Sequence, residues 1–177
     1  MSILKVAHMG NPVLRQQAKR LDAAVLRSPA VQKLIDDMIE TMHEYHGVGL
    51  AAPQVHEGLR LFVAMLDDEP EELSDAVVVV NPEIVAESAG NEEGWEGCLS
   101  VPDIRGMVPR HVDITLRSLD RHGESQELRL RQFPARVAQH ETDHLDGVLF
   151  FDRMRSMETL TYLEEYSRYW AKDRDGD

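Results

Sequence analysis

Residues 139–147 read QHETDHLDG, and they place two histidines and a glutamate where a helix should be apolar. A helix from about Pro134 to Gly147 carries a stripe of Val137, His140, Glu141, His144 and Leu145, spaced i, i+3, i+4, i+7 and i+8. The opposite side holds Gln139, Thr142, Asp143 and Asp146, and is expected to be the solvated face. His140, Glu141 and His144 therefore interrupt a stripe meant for the interior. Burying even a neutral polar group without a partner costs roughly 2–7 kcal/mol, and a charge costs more. A divalent metal ion is the economical way to satisfy all three. Histidines one turn apart can reach a single ion. Glu141, beside the first of them, can stand next to the ion and handle protons of a water there. The plain alternative is two histidines held by ordinary hydrogen bonds and a glutamate at the surface.

Two histidines leave a catalytic metal site one protein ligand short. GWEGCLS (94–100) offers Cys98, set between glycines and a turn, and a metal both deprotonates a thiol and explains its presence. A small buried hydrophobe is the commoner fate of a lone cysteine. GVGLAAPQ (47–54) has the outline of a dinucleotide fingerprint, which needs a strand before it and a helix after it. Here a helix precedes and a strand follows, so the nucleotide reading fails. The glycines instead let the backbone approach something closely, and Gln54 carries an amide donor suited to a developing oxyanion.

The rest of the chain predicts an α+β fold. RSPAVQKLIDDMIETMHEYHG repeats Val31, Leu34, Ile35, Met38, Ile39 and Met42 at helical spacing, with Ser28 as cap, Pro29 in the first turn and Gly47 as a left-handed stop. Segments 59–66 and 76–80 read as strands, joined by the acidic loop DDEPEELSD. Residues 112–131 read as a hairpin turning at Gly123. METLTYLEEYSRYW predicts a last helix presenting Leu160, Leu163, Tyr166 and Trp170, and the tail from about 171 to 177 is expected to fray. Helices and antiparallel strands mix without βαβ alternation. The 177 residues fit a single domain, 1–177, with a core of its own.

Composition narrows the function classes. A formal net charge of −13 opposes binding to a phosphate backbone, and no apolar run is long enough to cross a bilayer. One cysteine and an N-terminus without a secretory pattern lead us to expect a cytoplasmic protein. His43 and His46 suit the negative end of their helix. His8, His56, His111 and His122 are expected at the surface or in turns.

Taken together, GVGLAAPQ, EGCLS and QHETDHLDG, in this order, resemble the peptide deformylase family, and the likeness runs from near the start of the chain to about Met154, including NPVLR (11–15) and VPR (108–110). The resemblance implies antiparallel or mixed sheets around a central metal-binding helix, followed by a C-terminal helix. It implies Cys98, His140 and His144 as metal ligands, with ferrous iron the usual cellular metal and zinc, nickel or cobalt able to substitute. It implies removal of the formyl group from N-formylmethionyl nascent chains, with Glu141 moving the proton and Gln54 and the Leu99 backbone N–H stabilising the oxyanion. Gly49 would leave room for a formyl hydrogen only, Val48, Phe133 and Val137 would wall the methionine pocket, and Glu96 and Arg110 would brace the site as an ion pair. The acidic ending AKDRDGD departs from the basic C-terminal helix of several members, which puts ribosome contact through that end in doubt. A zincin-type peptidase and a non-catalytic deformylase-like binding protein are the alternative readings.

Overall fold

The computed structural model describes residues 2–67 and 76–171. The first long helix forms as its spacing predicts. A short helix α1 (Ala23–Leu26) leads into α2 (Pro29–Glu44), where Ser28 accepts a hydrogen bond from the Val31 N–H and Pro29 occupies the first turn. Its buried face is Val31, Ile35, Met38 and Met42. The stop differs from expectation. His46, not Gly47, takes the left-handed conformation (φ 52°), and the Gly47 N–H donates back to Met42 O at 2.8 Å. Gly47 is small for another reason, since a Cβ there would stand 3.0 Å from Leu99.

Five strands form one antiparallel sheet in the order β1-β2-β3-β6-β7: β1 (Gly49–Ala51), β2 (Leu61–Ala64), β3 (Val77–Glu87), β6 (Asp113–Leu119) and β7 (Ser125–Arg131). β6 and β7 are the expected hairpin, with Gly123 at φ +86°. Most of the acidic loop, residues 68–75, lies outside the described residues. The strands of the second, three-stranded sheet were not read from the residues, although the family resemblance implies more than one sheet. β4 (Asn91–Cys98) and β5 (Val101–His111) pair along their length, and β8 (Thr161–Tyr162) adds to β5.

Between the sheets runs α3 (Gln132–Leu145), packed on β1, β2, β6 and β7 of one and β5 of the other. Here the structure corrects the sequence reading. The face carrying Gln139, Thr142 and Asp143 is buried as well. Each of its polar groups has a protein partner: Gln139 bonds both the N–H and the C=O of His111, Thr142 bonds Ala138 O, and Asp143 bonds Arg110 and Arg153. The C-terminal helix is also shorter than expected. Residues 157–159 make a single 3-10 turn, β8 follows, and only α4 (Leu163–Tyr169) is α-helical. Tyr166 and Trp170 nonetheless share a face and pack on Trp95 of β4, with ring centroids 4.9 and 5.4 Å away. Residues 172–177, where fraying was expected, lie outside the described residues.

Candidate metal centre

α3 delivers His140 and His144 one turn apart, and the end of β4 delivers Cys98 against them. One donor atom from each of the three lies within 4.8 Å of the others. Cys98 Sγ is 3.2 Å from His144 Nε2. His140 is oriented from behind, because its Nδ1–H donates to Glu96 Oε2 at 2.9 Å. A carboxylate can only accept, so the hydrogen sits on Nδ1 and the Nε2 lone pair is left for the site. The ring also stacks over Phe150, with centroids 6.4 Å apart.

Glu96 is the hub of the support. Besides His140 it accepts from Arg110 Nε (2.9 Å) and Nη2 (3.0 Å) and from Arg136 Nη1 (2.9 Å). Arg110 in turn donates to Asp143 Oδ2 at 2.6 Å. Burial works against a charged Glu96, yet His140 and Arg110 hold its carboxyl well below the usual carboxylate range. Burial likewise opposes the Cys98 thiolate, but the imidazoles of His144 and His140 outweigh it and keep the thiol well below its ordinary value. The expected Glu96–Arg110 pair is therefore present, and its larger consequence is the orientation of a histidine.

Glu141 lies beside the donors and is 4% exposed. Burial pushes its carboxyl up to about 6, against the pull of His140 and His144. Its Oε2 and His144 Nδ1 are buried without a hydrogen-bond partner among the described residues. Gly49 makes room for this carboxylate, since a Cβ there would stand 2.4 Å from Glu141 Oε1. Gln54 is buried. Its Oε1 accepts from the Ala51 N–H at 2.8 Å, which turns Nε2 toward Ser100 Oγ (3.2 Å) and Cys98 Sγ (3.5 Å).

Gln54, Glu96, Cys98, His140 and Glu141 line a cleft of about 460 Å³ that also takes in Val48, Gly49, Leu99, Phe133 and Val137. Val137 is buried, whereas Val48 and Phe133 stand at the rim, 40% and 49% exposed. One thiol and two imidazoles, buried and convergent, with a histidine already gripped by a carboxylate, suit a mid-row divalent ion. No second grouping of this kind occurs among the described residues, and His43 and His46 do not make one.

A family model described as polypeptide deformylase matches residues 3–160. The chain belongs to the polypeptide deformylase family. It is 44% identical to peptide deformylase 2 of Nostoc sp. over 176 residues, covering 97% of each chain. Among solved structures it is similar to a class I type b peptide deformylase from Acinetobacter baumannii bound to Met-Ala-Ser (TM-score 0.81, 42% identity, 87% of this chain and 100% of that one). It is also similar to the Thermotoga maritima peptide deformylase (TM-score 0.80, 39% identity, 88% of this chain and 100% of that one). The α+β fold with its C-terminal helix is thus the family's, and the chain is an enzyme, a metallohydrolase with a Cys/His/His site.

Arg136 is the participant that sequence reasoning missed. It precedes His140 by four residues, so it shares the buried stripe, and a cation there requires an anion. That spacing was the available signal.

Proposed function

We propose that Cys98, His140 and His144 hold one divalent ion, and that this deformylase hydrolyses peptides beginning with formylmethionine to formate and a free N-terminus. The observation that carries the reading is the convergence of those three donors beside a buried carboxylate with an unpaired oxygen. When bound, the ion supplies Lewis acidity, which acidifies a water and polarises the formyl carbonyl. Glu141 takes that water's proton and returns it to the departing amine. A carboxyl pushed up to about 6 by burial is suited to both halves of the task. The Gln54 amide and the Leu99 backbone N–H donate to the developing oxyanion. The Ala51 bond supports this role, because it fixes which end of the Gln54 amide faces the site.

Val137, Phe133 and Val48 wall the pocket for the methionine side chain, and Gly49 keeps the acyl end small enough for formyl only. The A. baumannii relative bound to Met-Ala-Ser supports a peptide with methionine first. Iron(II) is the proposed cellular metal, with zinc, nickel or cobalt able to replace it, since one thiolate and two imidazoles accept each of them. The proposed setting is the cytoplasm, where nascent chains are met in transient contact with the ribosome. No nucleic-acid or membrane partner is proposed: the net charge is −13, and no described helix is long and apolar enough to cross a membrane.

The test is formate release from a formyl-Met tripeptide by protein purified without oxygen and loaded with iron(II). Metal-dependent release, with the acetylated peptide untouched, is expected. No release from protein that holds one equivalent of metal would overturn the reading.

A further inference from the structure

Arg136 reaches from α3 across the second sheet. Its Nη1 donates to Val108 O at 2.7 Å, to Glu96 Oε1 at 2.9 Å and, more weakly, to Gly94 O at 3.4 Å; its Nη2 donates to Glu92 O at 2.7 Å. Gly94 and Val108 are direct partners in the β4–β5 ladder, so one side chain of the histidine-bearing helix pins both strands. The guanidinium fits only because residue 94 has no side chain. A Cβ there would stand 2.8 Å from Arg136 Cζ and Nη2. Gly94 is not among the glycines with positive φ, so the fold uses its size and not its conformational freedom.

The consequence runs through Glu96. Its Oε1 accepts from Arg110 Nε and Arg136 Nη1, and its Oε2 accepts from Arg110 Nη2 and His140 Nδ1. With two donors on each oxygen, the carboxylate cannot turn without breaking several bonds at once. Glu96 of β4 and Arg110 of β5 grip each other, and Arg110 also reaches Asp143 of α3. Arg136 adds a second guanidinium link between the carboxylate and α3, and one that also bonds the backbone of both strands, at Glu92 and Val108.

We propose that Arg136 is a positioning residue: lodged in the gap left by Gly94, it locks Glu96 to α3 and thereby holds the His140 imidazole where a metal needs it. This rests on the metal reading above, and the experiment separates the two. Holoenzymes of wild type, Arg136→Met, Arg136→Lys, Gly94→Val and the Gly94→Val/Arg136→Met double variant would be loaded with zinc. Metal affinity would be read by competition with a chromophoric chelator, thermal midpoints would be recorded, and cobalt(II)-loaded samples would be scanned for thiolate-to-cobalt absorption. Arg136→Met and Gly94→Val should each weaken zinc binding by about 10- to 100-fold, the range for losing a group that orients a metal ligand. Arg136→Lys should rescue only in part, because an ammonium cannot reproduce the planar fork. The double variant refills the gap with apolar volume, so its thermal midpoint should return toward wild type while its zinc affinity stays low. Zinc held as tightly by Arg136→Met as by wild type, or affinity restored in the double variant together with stability, would overturn the role and leave Arg136 as packing. A wild type without thiolate-to-cobalt absorption would overturn the three-donor site itself, and this proposal with it.

Discussion

Gly49 and Glu141 share one small volume, and the proposed mechanism requires that Glu141 fill it. A methyl group at position 49 meets the Glu141 side chain at three atoms, the nearest 2.4 Å away. Gly49→Ala should therefore displace the carboxylate while leaving Cys98, His140 and His144 in place. We expect its turnover to fall by about 10²-fold or more, the usual worth of a positioned proton carrier, with one metal still bound. Formate release and metal analysis on the same sample check this. Glu141→Gln should behave alike, keeping metal and fold and losing about 10²- to 10⁴-fold in turnover; full activity in that variant would remove Glu141 from the mechanism. At Gln54 the two ends of the amide can be separated. Gln54→Glu keeps an acceptor for the Ala51 N–H but loses the donor aimed at the site. A drop of about 10²- to 10³-fold in kcat is expected, as for other lost oxyanion donors, and steady-state kinetics would show it.

Among the elements, α3 announced itself in the sequence because ionisable groups on an apolar stripe have few explanations. What could not be read was that its far side is buried as well. Gln139, Thr142 and Asp143 are polar, and polarity at helical spacing ordinarily marks solvent. The partners of Gln139 and Asp143, His111 and Arg110 on β5 and Arg153 beyond the helix, lie outside α3 or on strands that alternation does not reveal, and Thr142 bonds its own helix at Ala138 O. β4 and β5 stayed hidden because glycine and proline punctuate them at Gly94, Gly97, Pro102, Gly106 and Pro109. Those residues read as loop, yet two of the glycines are small because arginines lie over them, Arg136 at Gly94 and Arg105 at Gly97. By contrast the β6–β7 hairpin follows simple periodicity and was legible from end to end, and α2 was legible up to its stop. The β5-to-α3 linkage makes its own prediction. Arg110→Met leaves the buried carboxylates Glu96 and Asp143 each short of a partner. The expected loss is about 3–5 kcal/mol, the cost of breaking a buried ion pair from one side, measured by denaturant unfolding of the metal-loaded protein.

Across the whole molecule, the N-terminal segment ties distant parts together. Ser2 and Leu4 donate to Asp37 and Thr41 of α2, Ala7 to the Gln54 carbonyl, and Met9 to the Ser100 carbonyl. Asp37 is buried here, and the hydrogen bond from Lys33 outweighs burial to hold its carboxyl below the ordinary range. A carboxyl depressed by folding stabilises the native state above its unfolded pKa and loses that contribution as pH falls through its lower folded value. The stability gap between wild type and Asp37→Asn should therefore be widest near neutrality and close as pH drops below about 4. Unfolding curves at a series of pH values would show a constant gap if Asp37 matters only through its shape. The aromatic contact between Trp95, Tyr166 and Trp170 has a different consequence. Both tryptophans of the chain are in it, one of them only three residues before Cys98 and itself lining the cleft. Three strand residues span about 10 Å, short enough for a coloured metal to drain the indole's excited state. Indole emission is therefore the expected optical reporter, for the seating of the last helix and for cobalt added at the proposed site, in a single unlabelled sample.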